Sequence, residues 1–154
     1  MTIAQQWAII ITQSTNTGNN TMSESVKLPS NLKQFISRQQ LNAIIRGCKG
    51  EEKEYFFDIA ETLGKQFATM AKTYEQDGKG DDAIVYLHYF RGGMDWFITE
   101  KDMEDEQHQA FGMADIGYGG SLGYISLNEL MENNIELDFH WTPKTLREVK
   151  ASRN

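Results

Sequence analysis

The sequence is poor in the residues that would give its function away. It has one cysteine, Cys48, two prolines and three histidines in 154 residues. A single cysteine excludes any internal disulfide and leaves no cysteine cluster for a structural metal, and it is compatible with a cytoplasmic home. No apolar run is long enough to span a bilayer; the longest near the N-terminus, Trp7 to Ile11, is far too short and has no basic segment before it. Positive charge is also scarce. Fifteen Lys and Arg stand against 22 Asp and Glu, for a net charge of −7 and a pI of about 4.9. That balance excludes a general nucleic-acid footprint, which needs a basic face.

What is present is an acidic middle. Between Glu51 and Glu106 there are 15 acidic and 6 basic side chains, a net of −9, while the rest of the chain carries 7 acidic and 9 basic, a net of +2. This distribution suits a partner protein with a basic surface and neither DNA nor a membrane. The densest acidic run is Glu100 to Glu106, with Asp81 and Asp82 nearby in sequence.

Residues 1–30 read as a flexible extension, with the polar stretch Gln13 to Asn20 disordered or a linker and Met22 a second candidate start. The run before it could add an edge strand. Residues 31–154 read as one α+β domain, with a helical part over 31–80 and a sheet part over 83–150. Ser37 is placed to cap a helix from about Arg38 to Arg46, with Gln40 at the third helical position. Phe56, Ile59, Ala60, Leu63, Phe67 and Met70 recur at helical spacing and predict a longer helix within Glu51–Tyr74, weakened by Gly64. Acidic Asp77 to Asp82 form a loop.

Strands are expected over Ile84–Phe90, Met94–Thr99, Ala110–Ile116, Leu122–Ile125 and Ile135–Trp141, forming a four- to five-stranded, mainly antiparallel sheet on which the helices pack. Gly92-Gly93 makes a hairpin turn. Ser126 caps a short helix, Leu127 to Glu132, and Thr142-Pro143 opens a terminal one, with Pro143 in its first position.

The segments YLHYFRGGMDWFITEKD, FGMADIGYGGSLGYISLNEL and LDFHWTPKTLREV carry a set of motifs: W-x-x-T-E-x-D, F-G-x-x-D-x-G, L-G-Y-x-S-L-x-E-L and P-K-T-L. On these, the region from Tyr86 to Val149 resembles a domain-of-unknown-function family of plasmid, phage and integrative-element proteins. The resemblance implies a fold and a genomic neighbourhood, where proteins often serve plasmid maintenance or blunt host defences. It implies no established activity.

Several residues invite chemistry. Gly117-x-Gly119-Gly120-x-x-Gly123 looks like a phosphate loop, but a strand follows it instead of a helix, so a hairpin is the better reading. His88 and His140 could converge across a sheet, and a carboxylate such as Asp95, Asp115 or Asp138 beside either would make a general-base pair. Core or surface histidines are the commoner outcome. Cys48 beside Lys49 would need a delivered histidine to act as a nucleophile. The acidic loop lacks the spacing of a calcium site, so no metal or cofactor is expected. The reading is therefore a non-enzymatic accessory protein of a mobile element. It binds a basic protein surface through Asp81, Asp82, Glu100, Asp102, Glu104, Asp105 and Glu106, and an anti-defence role is one concrete form. The alternative is a hydrolytic enzyme or small-ligand module using His88 or His140, with a pocket at the glycine turn.

Overall fold

The computed structural model describes residues 7–10 and 26–153. The linker expected at Gln13 to Asn20 lies outside the described residues, as does Met22. Strand β1 (Trp7–Ile10) pairs antiparallel with β2 (Val26–Pro29). Val26 and Leu28 are buried in the main core, so the packed part of the chain includes this strand.

Three helices follow. They are α1 (Leu32–Phe35), α2 (Arg38–Gly47) and α3 (Lys53–Thr69). The Ser37 hydroxyl accepts the Gln40 N–H, satisfying one of the free donors at the start of α2. Gly64 does not interrupt α3. A Cβ there would come within 2.7 Å of the Pro29 ring, so the glycine is a packing residue that lets β2 lie against the helix. The helix stops at Thr69, short of the expected end. Its last carbonyls, on Phe67 and Ala68, accept from Lys101 Nζ, which arrives from the sheet. A buried cation at a helix C-terminus is favoured by the helix dipole, and burial lowers the Lys101 pKa.

A two-residue strand, β3 (Ile84–Val85), leads into the main sheet. The sheet is built from β4 (Leu87–Arg91), β5 (Met94–Glu100), β6 (Gln109–Asp115), β7 (Ser121–Ser126) and β8 (Glu136–Leu137). These five lie in the order β7-β6-β5-β4-β8, with every neighbour antiparallel. The fold is thus the expected α+β arrangement. Gly92-Gly93 turns β4 into β5, with Gly92 at φ 56°. The glycine-rich stretch after β6 is also a hairpin turn, with Gly117 at φ 109° and Gly119 at φ 90°, and it opens no helix. The last sheet strand is only two residues long. The chain from Ile135 to Trp141 otherwise runs as coil.

The two faces of the sheet do different work. Leu87, Tyr89, Ile98, Ala110 and Ile125 point into the main core, against α1–α3 and α4 (Leu127–Glu132). The Tyr89 hydroxyl is fully buried there and donates to the carbonyl of Phe35, the last residue of α1. Cys48 is buried in the same core, and burial raises its thiol pKa. On the second face, Phe97 and Met113 pack under the terminal helix α5 (Leu146–Ser152) through Leu146 and Val149.

That helix begins three residues later than the sequence suggests. Lys144–Thr145 forms a short strand, β9, paired with β3, and Thr145 caps α5 by accepting from Glu148 N–H. Pro143 therefore precedes the strand and does not open the helix. Among the described residues no helix is long and apolar enough to cross a membrane.

Candidate functional site

His88 lies on the second face of β4 and does find a carboxylate. Its Nε2 is 2.7 Å from Asp95 Oδ1, and its Nδ1 is 3.6 Å from Asp138 Oδ2, too long for a hydrogen bond. The ring stacks on Phe97 at 4.8 Å and lies against Trp141 at 5.0 Å. Only 15% of the side chain is exposed. Asp95 and Asp115 stand directly opposite one another on β5 and β6, a like-charge pair that would repel. Arg153, just past α5, bridges them: it bonds Asp95 Oδ2 at 3.0 Å and also Asp115, with its guanidinium over Phe97. The Asp115 carboxyl is held below its usual range, first by the Gly117 N–H and then by Arg153. This cluster fastens α5 to the sheet and covers His88.

His140 takes a different partner. Its Nε2 is 3.3 Å from the Tyr55 hydroxyl of α3, which packs on the opposite face. The structure therefore does not bring the two histidines together. A cleft does border the glycine turn, through Leu122 and Tyr124, but neither histidine lines it.

The seven acidic residues fall into four groups. Asp81 and Asp82 sit in a single 3₁₀ turn, Gly80–Asp82, and are paired with α5: Asp81 with Lys150 at 2.8 Å, Asp82 with Arg147 at 3.2 Å. Asp102 is turned inward on its own loop and accepts the N–H groups of Glu104, His108 and Gln109. Partial burial works to raise its pKa, and these backbone bonds outweigh that and leave it lowered. Glu104, Asp105 and Glu106 face solvent, Glu106 with His108 at 3.1 Å.

The loop beneath them is tightly held. Buried Gln107, at φ 48°, accepts from Asp102 N–H and donates to the carbonyls of Asp102 and Glu104, and Gln34 donates to the Asp105 carbonyl.

Glu100 is the exception in the acidic run. It is only 5% exposed. The pairing of β5 with β6 slips between Ile98 and Glu100, a bulge at Thr99. Strict alternation would send Glu100 into the apolar core beside Ile98. The bulge re-aims it onto the second face, opposite Phe111. There one carboxylate oxygen accepts from Tyr74 N–H at 3.2 Å and the other from Gln76 N–H at 2.7 Å. Gly112, opposite Ile98, makes the bulge possible, since a Cβ at that position would run into the Phe97 carbonyl.

These bonds fix the segment after α3. Thr73 N–H donates to the Lys101 carbonyl and Lys101 N–H to that of Ala71, extending β5 by a short parallel bridge. Buried Gln76 bonds both Ile84 backbone groups and the Thr99 carbonyl. So clamped, Tyr74 holds φ 74°, a left-handed conformation costly for an aromatic residue. It projects its ring outward, 65% exposed, and its hydroxyl meets that of Tyr124 on β7 at 3.3 Å.

Between this segment and the sheet lies a cleft of about 280 Å³, lined by Tyr74, Glu100, Phe111, Leu122 and Tyr124 and by the 76–83 loop. Sequence reasoning placed Glu100 on an acidic surface and missed the cleft. Alternation cannot reveal a bulge, and the glycine two places after Ala110 was the one available hint.

A family model described as "Protein of unknown function (DUF2958)" matches residues 58–145, more than half of the chain. The chain belongs to this family. The DUF2958 match takes in the histidine cluster apart from Arg153, the acidic loop, and every cleft wall except Leu146. No curated protein and no solved structure matches the chain.

Proposed function

We propose that the chain is a non-enzymatic accessory protein that binds a basic protein surface through its acidic loop. The observation that carries this reading is the loop's construction. Glu104, Asp105 and Glu106 are presented to solvent on a backbone held by Asp102, Gln107 and Gln34, so little order is lost when a partner engages them. Asp81 and Asp82 contribute less, being paired with α5, and Glu100 is withdrawn into the cleft.

The covered state of His88 weighs against the hydrolytic alternative. Its carboxylate partner is engaged by Arg153, and aromatic rings close over the imidazole. The single cysteine is compatible with a cytoplasmic setting and the sequence resemblance supports a mobile-element origin; an acidic decoy against a host nucleic-acid-binding complex is the concrete anti-defence form. The test is a pull-down with the tagged chain and with the Glu104→Lys, Asp105→Lys, Glu106→Lys variant, at low and moderate salt. A basic partner retained by the wild type, salt-sensitive and lost in the variant, is expected. Equal capture by both chains would sink the acidic-loop reading.

A further inference from the structure

The cleft beneath Tyr74 has a composition of its own. Among its lining residues the charged ones, Asp77 and Glu100, are both acidic, and three aromatic rings, of Tyr74, Phe111 and Tyr124, stand around them. Three lysines adjoin lining residues in the chain and none lines the cleft: Lys101 is turned away and spends donors on the end of α3, while Lys72 and Lys79 are exposed. Each Glu100 oxygen accepts one backbone N–H, which leaves each with a further lone pair. The Tyr124 ring packs edge-on against Phe111 at 5.6 Å, and its hydroxyl is held by Tyr74. An anionic floor with aromatic walls attracts a cation twice over, by charge and by the ring faces. Size narrows the choice: about 280 Å³ is below the usual range of cofactor and drug-sized pockets, and suits one side chain.

We propose that this cleft is an anchor pocket for the guanidinium of an arginine side chain on a basic protein partner. The inference rests on the reading above for the existence of that partner. The planar fork of a guanidinium can use the two remaining carboxylate lone pairs together and still stack on a tyrosine ring, which a lysine ammonium cannot do. Glu100 lies two residues before Asp102, where the acidic loop begins, so one basic segment can engage both.

The test uses the full chain, labelled for amide NMR, titrated with N-acetyl-arginine methylamide and with its neutral citrulline counterpart. Saturable shifts at Tyr74, Gln76 and Tyr124 are expected with the arginine probe in the millimolar range, and none with citrulline. Tyr124→Ala sits on an exposed strand position and keeps the fold; it should weaken the arginine probe about tenfold, and Asp77→Asn should weaken it less. The lysine-substituted loop variant should bind the probe as wild type does. Equal shifts with citrulline, no shifts at all, or indifference to Tyr124→Ala would each overturn the anchor pocket. Partner capture that still depends on the loop would then leave the acidic-loop reading standing, so the two failures are separable.

Discussion

Tyr74 combines a left-handed backbone with a largely exposed aromatic ring at the mouth of the cleft. A left-handed backbone at an aromatic residue costs about 1–2 kcal/mol, and it persists because Glu100, Lys101 and Gln76 hold the segment on both sides. Tyr74→Gly releases that strain but adds the greater chain entropy of a glycine, so it should stabilise the fold by at most about 1 kcal/mol, read as a rise in denaturant midpoint, and should weaken the arginine probe. A stabilised variant with full probe affinity would separate the strain from the cleft. Gly112 works in the opposite sense. An added methyl group there would be forced into the β5 backbone, so Gly112→Ala should cost roughly 2–4 kcal/mol, measured by urea unfolding. Gly112 left only the hint of a glycine inside a strand, and Tyr74 left none. Tyr74 looked like the last apolar position of a helix, and only the bulge explains why Glu100 leaves the run of acids it belongs to.

At the scale of elements, legibility followed the local rules. Ser37 and Ser126 cap their helices, accepting from Gln40 and Glu129, because capping depends on neighbours three residues away. The hairpins after Arg91 and Asp115 follow from glycines that accept positive φ. The start of α5 was misread because Lys144 and Thr145 pair with Ile84 and Val85, a contact some 60 residues distant that no local pattern announces.

The acidic loop adds a pH dependence. Asp102 is depressed in the folded state, so the stability it supplies is complete above the ordinary carboxylate range and lost as pH falls through its lowered folded value. The thermal midpoint of the wild type should exceed that of Asp102→Asn at neutral pH. The gap should close below about pH 4. A constant gap down to about pH 2 would mean that the carboxylate charge does not hold the loop.

For the whole molecule, the sequence showed an acidic middle with basic ends, and the structure folds part of one onto the other. Lys150, Arg147 and Arg153 of the C-terminal segment meet Asp81, Asp82, Asp95 and Asp115 of the middle and sheet. The net charge of −7 is thus not spread evenly: exposed carboxylates remain on the 102–107 loop and at the start of α3, where Glu51, Glu52, Glu54 and Asp58 face solvent. Arg153→Gln should leave Asp95 and Asp115 facing each other unbridged and loosen α5. Faster amide exchange in α5 than in α3 would register it, whereas unchanged protection would show that Leu146 and Val149 suffice. The two-faced sheet itself was foreseeable from the alternation of Leu87, Tyr89 and their neighbours.

Cys48 offers one last consequence. It is the sole thiol, it sits in the core at the end of α2, and its raised pKa leaves almost no thiolate in the native state. Modification by a disulfide reagent therefore has to wait for that corner of the protein to open. The labelling rate becomes an intrinsic gauge of local breathing, available without engineering a probe. A bound partner that slows it would be tightening the helical layer from the far side of the sheet.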